Sequence, residues 1–524
     1  MRLSLFLIAA VLLAYTEAAT VQFNVISPGS KSVQVDVGGT LTTLTAPNTG
    51  VPFYTGSVET GAATTYKYVS DAKSEGFSRT LGSGISSTLN DYYDRPMTYA
   101  NIPALPRPLD NGKQWTRAAE SPDLFDINYM PSIFVQGVQS EMDYLVMNVP
   151  KTRYIVNITM IGKDYVRTFS QATLRISGAG KTHNNAKQSW RWTLAAGDFI
   201  DSRNSFKIRH MEEDPTQMRE KLYADCLRSM GTYANQANMV RYFINNEAFG
   251  TFNLIDDVAE YSYIRSMFYG GNPPSQMGPL YDGASGASFA FVNDPSGYDS
   301  FKPTKGSPQG SEAILPLAKA FHELNVTDTL AVNRFEDIFD VDQFLRFMVM
   351  EYLTGSWDNY WEMQSNDGAY CDYSNNNTWY YLGQDYDGSF GVNLPVDVIN
   401  WSYRDYPKKN PGAVLINGFL KNTDLASRFE SYIVDTVKQL FNNNTLGQHI
   451  MAYREFIERD IKWDRTVVQR SPGIDYGWVF GNSYDNLFTE VSSPKKTGGG
   501  AAYGLTEWIA KKAQFVAKDL KFTL

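Results

Sequence analysis

The chain has 524 residues, a formal net charge of −9, 43% hydrophobic residues and 14% aromatic residues. That length and apolar content suit a large core in more than one domain, and an acidic balance with no long Lys/Arg run excludes a general nucleic-acid binder. Two cysteines, Cys226 and Cys371, exclude a disulfide scaffold.

The N-terminus has Arg2, an apolar run from Leu3 to Tyr15, then Thr16, Glu17, Ala18 and Ala19. A short basic start, an apolar stretch and a small-residue cut site predict a signal peptide over 1–18. The apolar run is too short to span a bilayer. Residues 19–95 are rich in Val, Thr, Ser and Gly. Alternating runs at Val21–Ile26, Ser32–Val37, Leu41–Leu44 and Thr65–Val69 predict strands of a small β-sandwich. A connector over 96–114 with Pro96, Pro103, Pro106 and Pro108 marks the boundary to a mixed α+β region at 115–524.

Within that region, Tyr154–Ile161 and Ala172–Ser177 read as strands, and Met239–Ile255 reads as a hairpin turning at Asn245-Asn246. Asp214-Pro215 predicts a helix start, with Gly231 as its stop. Cys226 follows Met218 and Leu222 at helical spacing, which favours a buried thiol over a disulfide. Asp340, with Gln343 three residues on, predicts the cap of a second helix ending at Gly355. Phe344, Leu345, Met348, Val349 and Tyr352 form its buried stripe. The final stretch, Trp508 to Leu524, reads as an amphipathic closing helix. No uninterrupted apolar tail suggests a GPI signal, and no other run is long enough to be transmembrane. Sequons at Asn157, Asn325, Asn376, Asn400 and Asn443 fit a glycosylated, exported chain.

The chemistry gathers after the second helix. Asp358 follows it in a loop, then come Gln364, Asn366 and Asp367, a strand at Thr378–Leu382, and Gln384-Asp385-Tyr386-Asp387-Gly388-Ser389-Phe390-Gly391. Protein kinases use this order of parts: an Asp that orients the attacking hydroxyl, an amide that holds a metal, and an Asp before Gly that holds Mg²⁺. Carboxylates and amides are the oxygen donors a hard divalent cation takes. Asp-Gly is equally a turn signal, so a purely structural reading stands beside the chemical one. Gly178-Ala-Gly180-Lys181-Thr182 fails as a P-loop, because Arg175 stands where that pattern needs Gly. Arg175, Lys181 and Lys187 either offer cations to phosphate groups or form a solvated loop. Glu213 and Glu220 are the candidates for a carboxylate that pairs with such a lysine.

Four stretches together resemble the CotH family. They are Leu174–Gly178 with Lys187-Gln-Ser189-Trp, Glu213–Leu222, Phe243–Leu254, and Gln384–Gly391. Trp361–Tyr370 and His183–Trp190 are similar to the fungal branch found in Mucorales. The resemblance implies a large atypical protein-kinase-like domain behind the β-sandwich. It implies ATP with Mg²⁺ or Mn²⁺, and a protein substrate phosphorylated on Ser or Thr. Asp358 maps to the catalytic Asp, and Asp385 or Asp387, with Gln364 or Asn366, to the metal ligands. Arg175, Lys181, Lys187, Arg219 and Glu220 fall on the nucleotide side.

The resemblance also implies two other roles. One is an invasin or adhesin at the cell surface or cell wall that binds a host-cell receptor of the chaperone type; for that role the polar loop Asn366–Asn377 is the candidate contact surface, because loops carry recognition, with a glycosylated spacer as its other reading. The other is a structural spore-coat or wall protein. The chain departs from bacterial members at Gln364 or Asn366, at Gln384 and at Ser177.

Overall fold

The computed structural model describes residues 20–109, 113–177 and 185–524. The expected signal peptide, Lys181 and the Gly178–Thr182 stretch (apart from the strand that precedes it) lie outside the described residues. The chain divides into two compact units, one of residues up to Thr98 with 163–165, the other of Tyr99–Gly162 with Val166–Leu524.

The first unit is all β. One sheet runs Phe53–Glu59, Thr20–Ile26, Ser87–Tyr92 in spatial order, and a second is built on Thr40–Leu44, Val33–Val37 and Thr65–Ser70. Alternation decides which side chains go in: Val21, Phe23 and Val25 share one core with Val33, Val35, Val37, Tyr66 and Tyr68. The strands Phe53–Glu59 and Ser87–Tyr92 escape sequence reading because Gly56 and Asn90-Asp91 interrupt their apolar pattern. Asp91 is nevertheless buried, and Tyr66, Tyr68 and Arg79 all donate to its carboxylate.

The second unit opens with the stretch read as a connector. From Tyr99 on it belongs to this unit, and Ala100, Ile102 and Leu109 are buried in its core. Seven strands then close a barrel in the order Tyr154–Ile161, Val166–Ile176, Trp190–Thr193, Ser205–Arg209, Glu247–Asp256, Ala237–Ile244, Ser132–Gln136. The hairpin turns at Asn245-Asn246, both at positive φ (48° and 64°), the conformation a two-residue turn between twisted strands requires.

Helix Arg219–Ser229 starts four residues later than Asp214 as its cap predicts. Gln217 at φ 59° breaks the helical path, while the Asp214 carboxylate accepts from the amides of Thr216, Met218 and Arg219. Asp214 therefore caps the helix across an intervening turn. Cys226 and Cys371 are both free and buried.

The remainder is mostly helical around a sheet ordered Phe301–Pro303, Leu280–Gly283, Asp367–Asp372, Thr378–Tyr381. Its central helix, Val341–Thr354, is buried at every residue. Asp340 caps it by accepting from the Gln343 amide at 3.1 Å, and Gly355 ends it at φ 61°. Helix Gln448–Asp464 ties to the barrel through two carboxylates one turn apart on one face. Asp460 forms a fork-to-fork pair with Arg241 at 2.7 and 2.8 Å. Asp464 accepts from Lys187 Nζ at 2.5 Å, Gln217 Nε2 at 2.7 Å and the Thr251 amide at 2.8 Å. Helix Leu505–Leu520 closes the unit. No helix among the described residues is long and apolar enough to cross a membrane.

Candidate functional site

Residues from the barrel and from the helical part line one cleft of about 590 Å³. The barrel contributes Arg191, Lys207 and Arg209, and the other wall carries Asp282, Asp358, Asp385 and Asp387, with Glu213 at the rim. The helix Val341–Thr354 sets Asp358: it ends at Gly355, and the next residues turn at once into the cleft. Gly388 sets the distance to Asp385 and Asp387. A Cβ there would lie 3.3 Å from the Trp357 ring nitrogen and 3.6 Å from Asp358 Cβ, so glycine lets the two loops touch.

Asp358 sits half-buried. The Asn366 side-chain amide donates to its Oδ2 at 2.8 Å and to its main-chain carbonyl at 2.9 Å. Burial and the neighbouring Asp385 carboxylate push the Asp358 carboxyl up, against the Asn366 hydrogen bond. Asp385 takes a positive φ of 61°. Its carboxylate, that of Asp387 and that of Glu220 bring one oxygen each to within 4.8 Å of one another.

The Arg209 guanidinium lies among all three. It pairs with Asp385, with Asp387 at 2.6 Å, and with Glu220 at 3.5 Å. Burial pushes the Asp387 and Glu220 carboxyls up, and Arg209 pulls both down. Three converging carboxylates, two of them on a loop beside Asp358, form a donor set suited to Mg²⁺ or Mn²⁺. Both Glu220 oxygens are buried with no hydrogen-bond donor at bonding geometry, and that unmet capacity fits a cation.

The remaining residues singled out in the sequence scatter. Gln364 turns away from the cleft: its amide donates to the carbonyls of Tyr360 and Glu362, and its side chain packs against Gly412. Asn366 holds Asp358 through its side-chain amide. Lys187 is buried against Asp464 and does not line the cleft. Arg175 stands one strand behind, opposite Arg191, where burial and the neighbouring arginines pull its guanidinium down.

Arg219 is fully buried. It pairs with Asp214 at 2.5 Å and reaches the carbonyl of Phe390 at 3.4 Å, so it steadies the chain just after Asp387. Glu220 faces Arg209, where the sequence suggested a lysine partner. Glu213 at the rim accepts from the Tyr476 hydroxyl at 3.0 Å and from Asn393 at 3.2 Å.

Sequence reading misses Lys207 and Arg209, yet their signal is present. In Ser205-Phe-Lys-Ile-Arg209 the cations alternate with apolar residues, which puts both on one strand face.

The segment after Asp387 is stitched down by a strap from the C-terminal region. Val392 bridges to Ala501, the Asn393 amide donates to the Gly500 carbonyl at 2.9 Å, and the Ala502 amide donates to that of Gly391 at 2.9 Å.

Comparison with known proteins adds the family. The family model described as CotH kinase protein matches residues 174–497. The chain belongs to the CotH family. Invasin CotH3 of Rhizopus delemar is 51% identical over 523 residues, 98% of this chain and 87% of that relative. Invasin CotH2 of the same organism is 50% identical over 532 residues, 100% of this chain and 88% of its own length. Spore coat protein homolog 1, also of Rhizopus delemar, is 51% identical over 521 residues, 99% of this chain and 85% of its own length. These relatives place the chain in the Mucorales branch of CotH proteins.

Proposed function

We propose that the cleft is an ATP- and metal-dependent site of atypical protein-kinase type, which phosphorylates Ser or Thr on a protein substrate outside the cell. One observation carries the reading: Asp358, Asp385 and Asp387 line one cleft, and the buried Glu220 carboxylate reaches Asp385 and Asp387 there, with Arg209 among the three. The order of parts in the fold supports it. A cationic strand, Ser205–Arg209, leads to a helix with Glu220 in its first turn, then come the rest of the barrel, the helix before Asp358, and the Asp385 loop.

In this reading Glu220, Asp385 and Asp387 hold the cation, which supplies charge neutralisation to a transferring phosphoryl group. Asp358, held by Asn366, accepts the proton of the substrate hydroxyl and aims its oxygen. Its raised pKa brings it nearer the working range of a general base. Lys207 and Arg191 offer positive charge to phosphate oxygens along the cleft wall.

The test is Mg²⁺- or Mn²⁺-dependent incorporation of labelled phosphate. Asp358→Asn is expected to lower it by about 10²–10⁴-fold, the usual worth of a positioned base. Equal incorporation by both forms removes Asp358 from the reaction.

A second reading is favoured by the relatives named invasins: the chain is an adhesive protein at the cell surface that contacts a host-cell surface protein. The polar stretch Asn366–Asn377 bears on it only in part. Residues 367–372 are a buried inner strand, so the surface available for contact there is the exposed turn around Ser374–Asn377. Replacing Ser374–Asn377 by a Gly-Ser turn is expected to lower host-cell adhesion and leave phosphate incorporation intact. Adhesion unchanged by that replacement sinks the turn as the contact. All five sequon asparagines, Asn157, Asn325, Asn376, Asn400 and Asn443, are exposed, which supports export through a glycosylating route. The relative named as a spore coat homologue keeps a structural wall role as the third reading.

A further inference from the structure

The cation nearest the three carboxylates is the protein's own. We propose that Arg209 and a divalent metal ion compete for the same Glu220, Asp385 and Asp387 oxygens, so that Arg209 sets the metal affinity of the cleft. This rests on the metal-site reading above and deepens it.

The argument starts from charge. Three carboxylates with oxygens inside 4.8 Å repel one another unless a cation joins them. Arg209 joins them unequally. One terminal nitrogen, Nη2, carries the contacts to both Asp385 and Asp387, while Nε stands 3.5 Å from Glu220. Nε and both Glu220 oxygens are left buried without a hydrogen bond. A planar fork cannot meet three carboxylates arranged around a point, whereas a spherical ion with oxygen ligands can.

The guanidinium also has somewhere to go. Arg209 is the last residue of its strand and lines the open cleft, its side chain 14% exposed against 1% for Glu220. Two cations cannot share the trio at close range, so metal entry requires Arg209 to give up part of its hold. An anion in the cleft offers the released guanidinium a new partner. Metal and anion are thereby linked and help each other bind.

The experiment is a Mn²⁺ titration of the full chain, without nucleotide, with free Mn²⁺ read by electron paramagnetic resonance. R209M removes the competitor and keeps an unbranched side chain. It is expected to bind Mn²⁺ about tenfold more tightly than the unaltered protein, the worth of one charge-assisted hydrogen bond. R209K keeps the charge and loses the fork, and is expected to fall between the two. It decides the matter should R209M not fold. Affinity in the variant that is unchanged or weaker overturns the competition. The Asp385→Asn variant guards the premise, because Mn²⁺ binding undiminished by that change, or absent from every form, overturns the metal-site reading and the inference with it.

Discussion

At the scale of single residues, several positions are fixed by what stands against them. Gly250 is the sharpest case. It has φ 107°, and a Cβ there would lie 2.0 Å from Asp464 Oδ1. That carboxylate also takes Lys187 and the Thr251 amide, so it cannot retreat. Gly250→Ala is expected to cost about 3 kcal/mol or more, read as a lower urea midpoint, through steric strain and a disturbed buried pair. A midpoint within about 0.5 kcal/mol of the unaltered protein contradicts this account.

The sequence announced Gly250 as part of a hairpin motif, but its partner, Asp464, lies 214 positions on and carries no local mark. The same limit explains Lys187. Its cationic character was legible; its burial against Asp464 depends on a distant helix. Asp358, Asp385 and Asp387 stand out in the sequence by their fixed order beside a helix end, a strand and a glycine, and the fold brings them to one cleft.

At the scale of elements, caps and periodicity served well where the chain made its own contacts. The helix Val341–Thr354 begins and ends where Asp340 and Gly355 said it would. The closing helix shows where pattern fails. Lys512 reads as part of a polar face, yet it is fully buried, with its ammonium 3.2 Å from the Trp401 carbonyl and 4.0 Å from the Tyr352 ring centre. Burial lowers it from 10.5 to about 7. A depressed lysine makes the unfolded chain bind more protons, so its share of stability is full above pH 10.5 and is lost as pH falls to about 7. Lys512→Met is expected to raise neutral-pH stability by about 1–2 kcal/mol and to flatten that rise with pH.

Glu351 acts in the other direction. Inside the helix Val341–Thr354, accepting from the Trp361 amide at 2.7 Å, it is raised by burial from 4.5 to about 8. Its share of stability is full below pH 4.5 and disappears as pH climbs to about 8. Glu351→Gln is expected to flatten that decline while keeping the fold. Thermal midpoints of the two variants across pH 4–10 check both. A Lys512→Met midpoint below that of the parent, or an unchanged slope in Glu351→Gln, contradicts the assignments.

At the scale of the whole molecule, the acidic balance seen in composition has a local counterpart. The cleft collects Glu213, Asp282, Asp358, Asp385 and Asp387 against Arg191, Lys207 and Arg209. On the proposed function, such a cleft would hold anionic phosphates only with a divalent cation beside them, which would tie the two ligands into one event. Phosphate incorporation is therefore expected to fall to background on chelation and to return on adding Mn²⁺. Activity that persists in chelator points to a different chemistry.

The strap of Gly500 to Ala502 across Gly391 to Asn393 bears on how this protein is handled at the bench. The family match ends at residue 497, three positions short of those stitches, and begins inside the strand Val166–Ile176. A recombinant fragment trimmed to 174–497 would open the barrel wall at one end and unbutton the loop behind Asp387 at the other. Screening for activity should use pieces that start before Tyr99 and run through Leu520, and an inert short fragment would say nothing about the native protein.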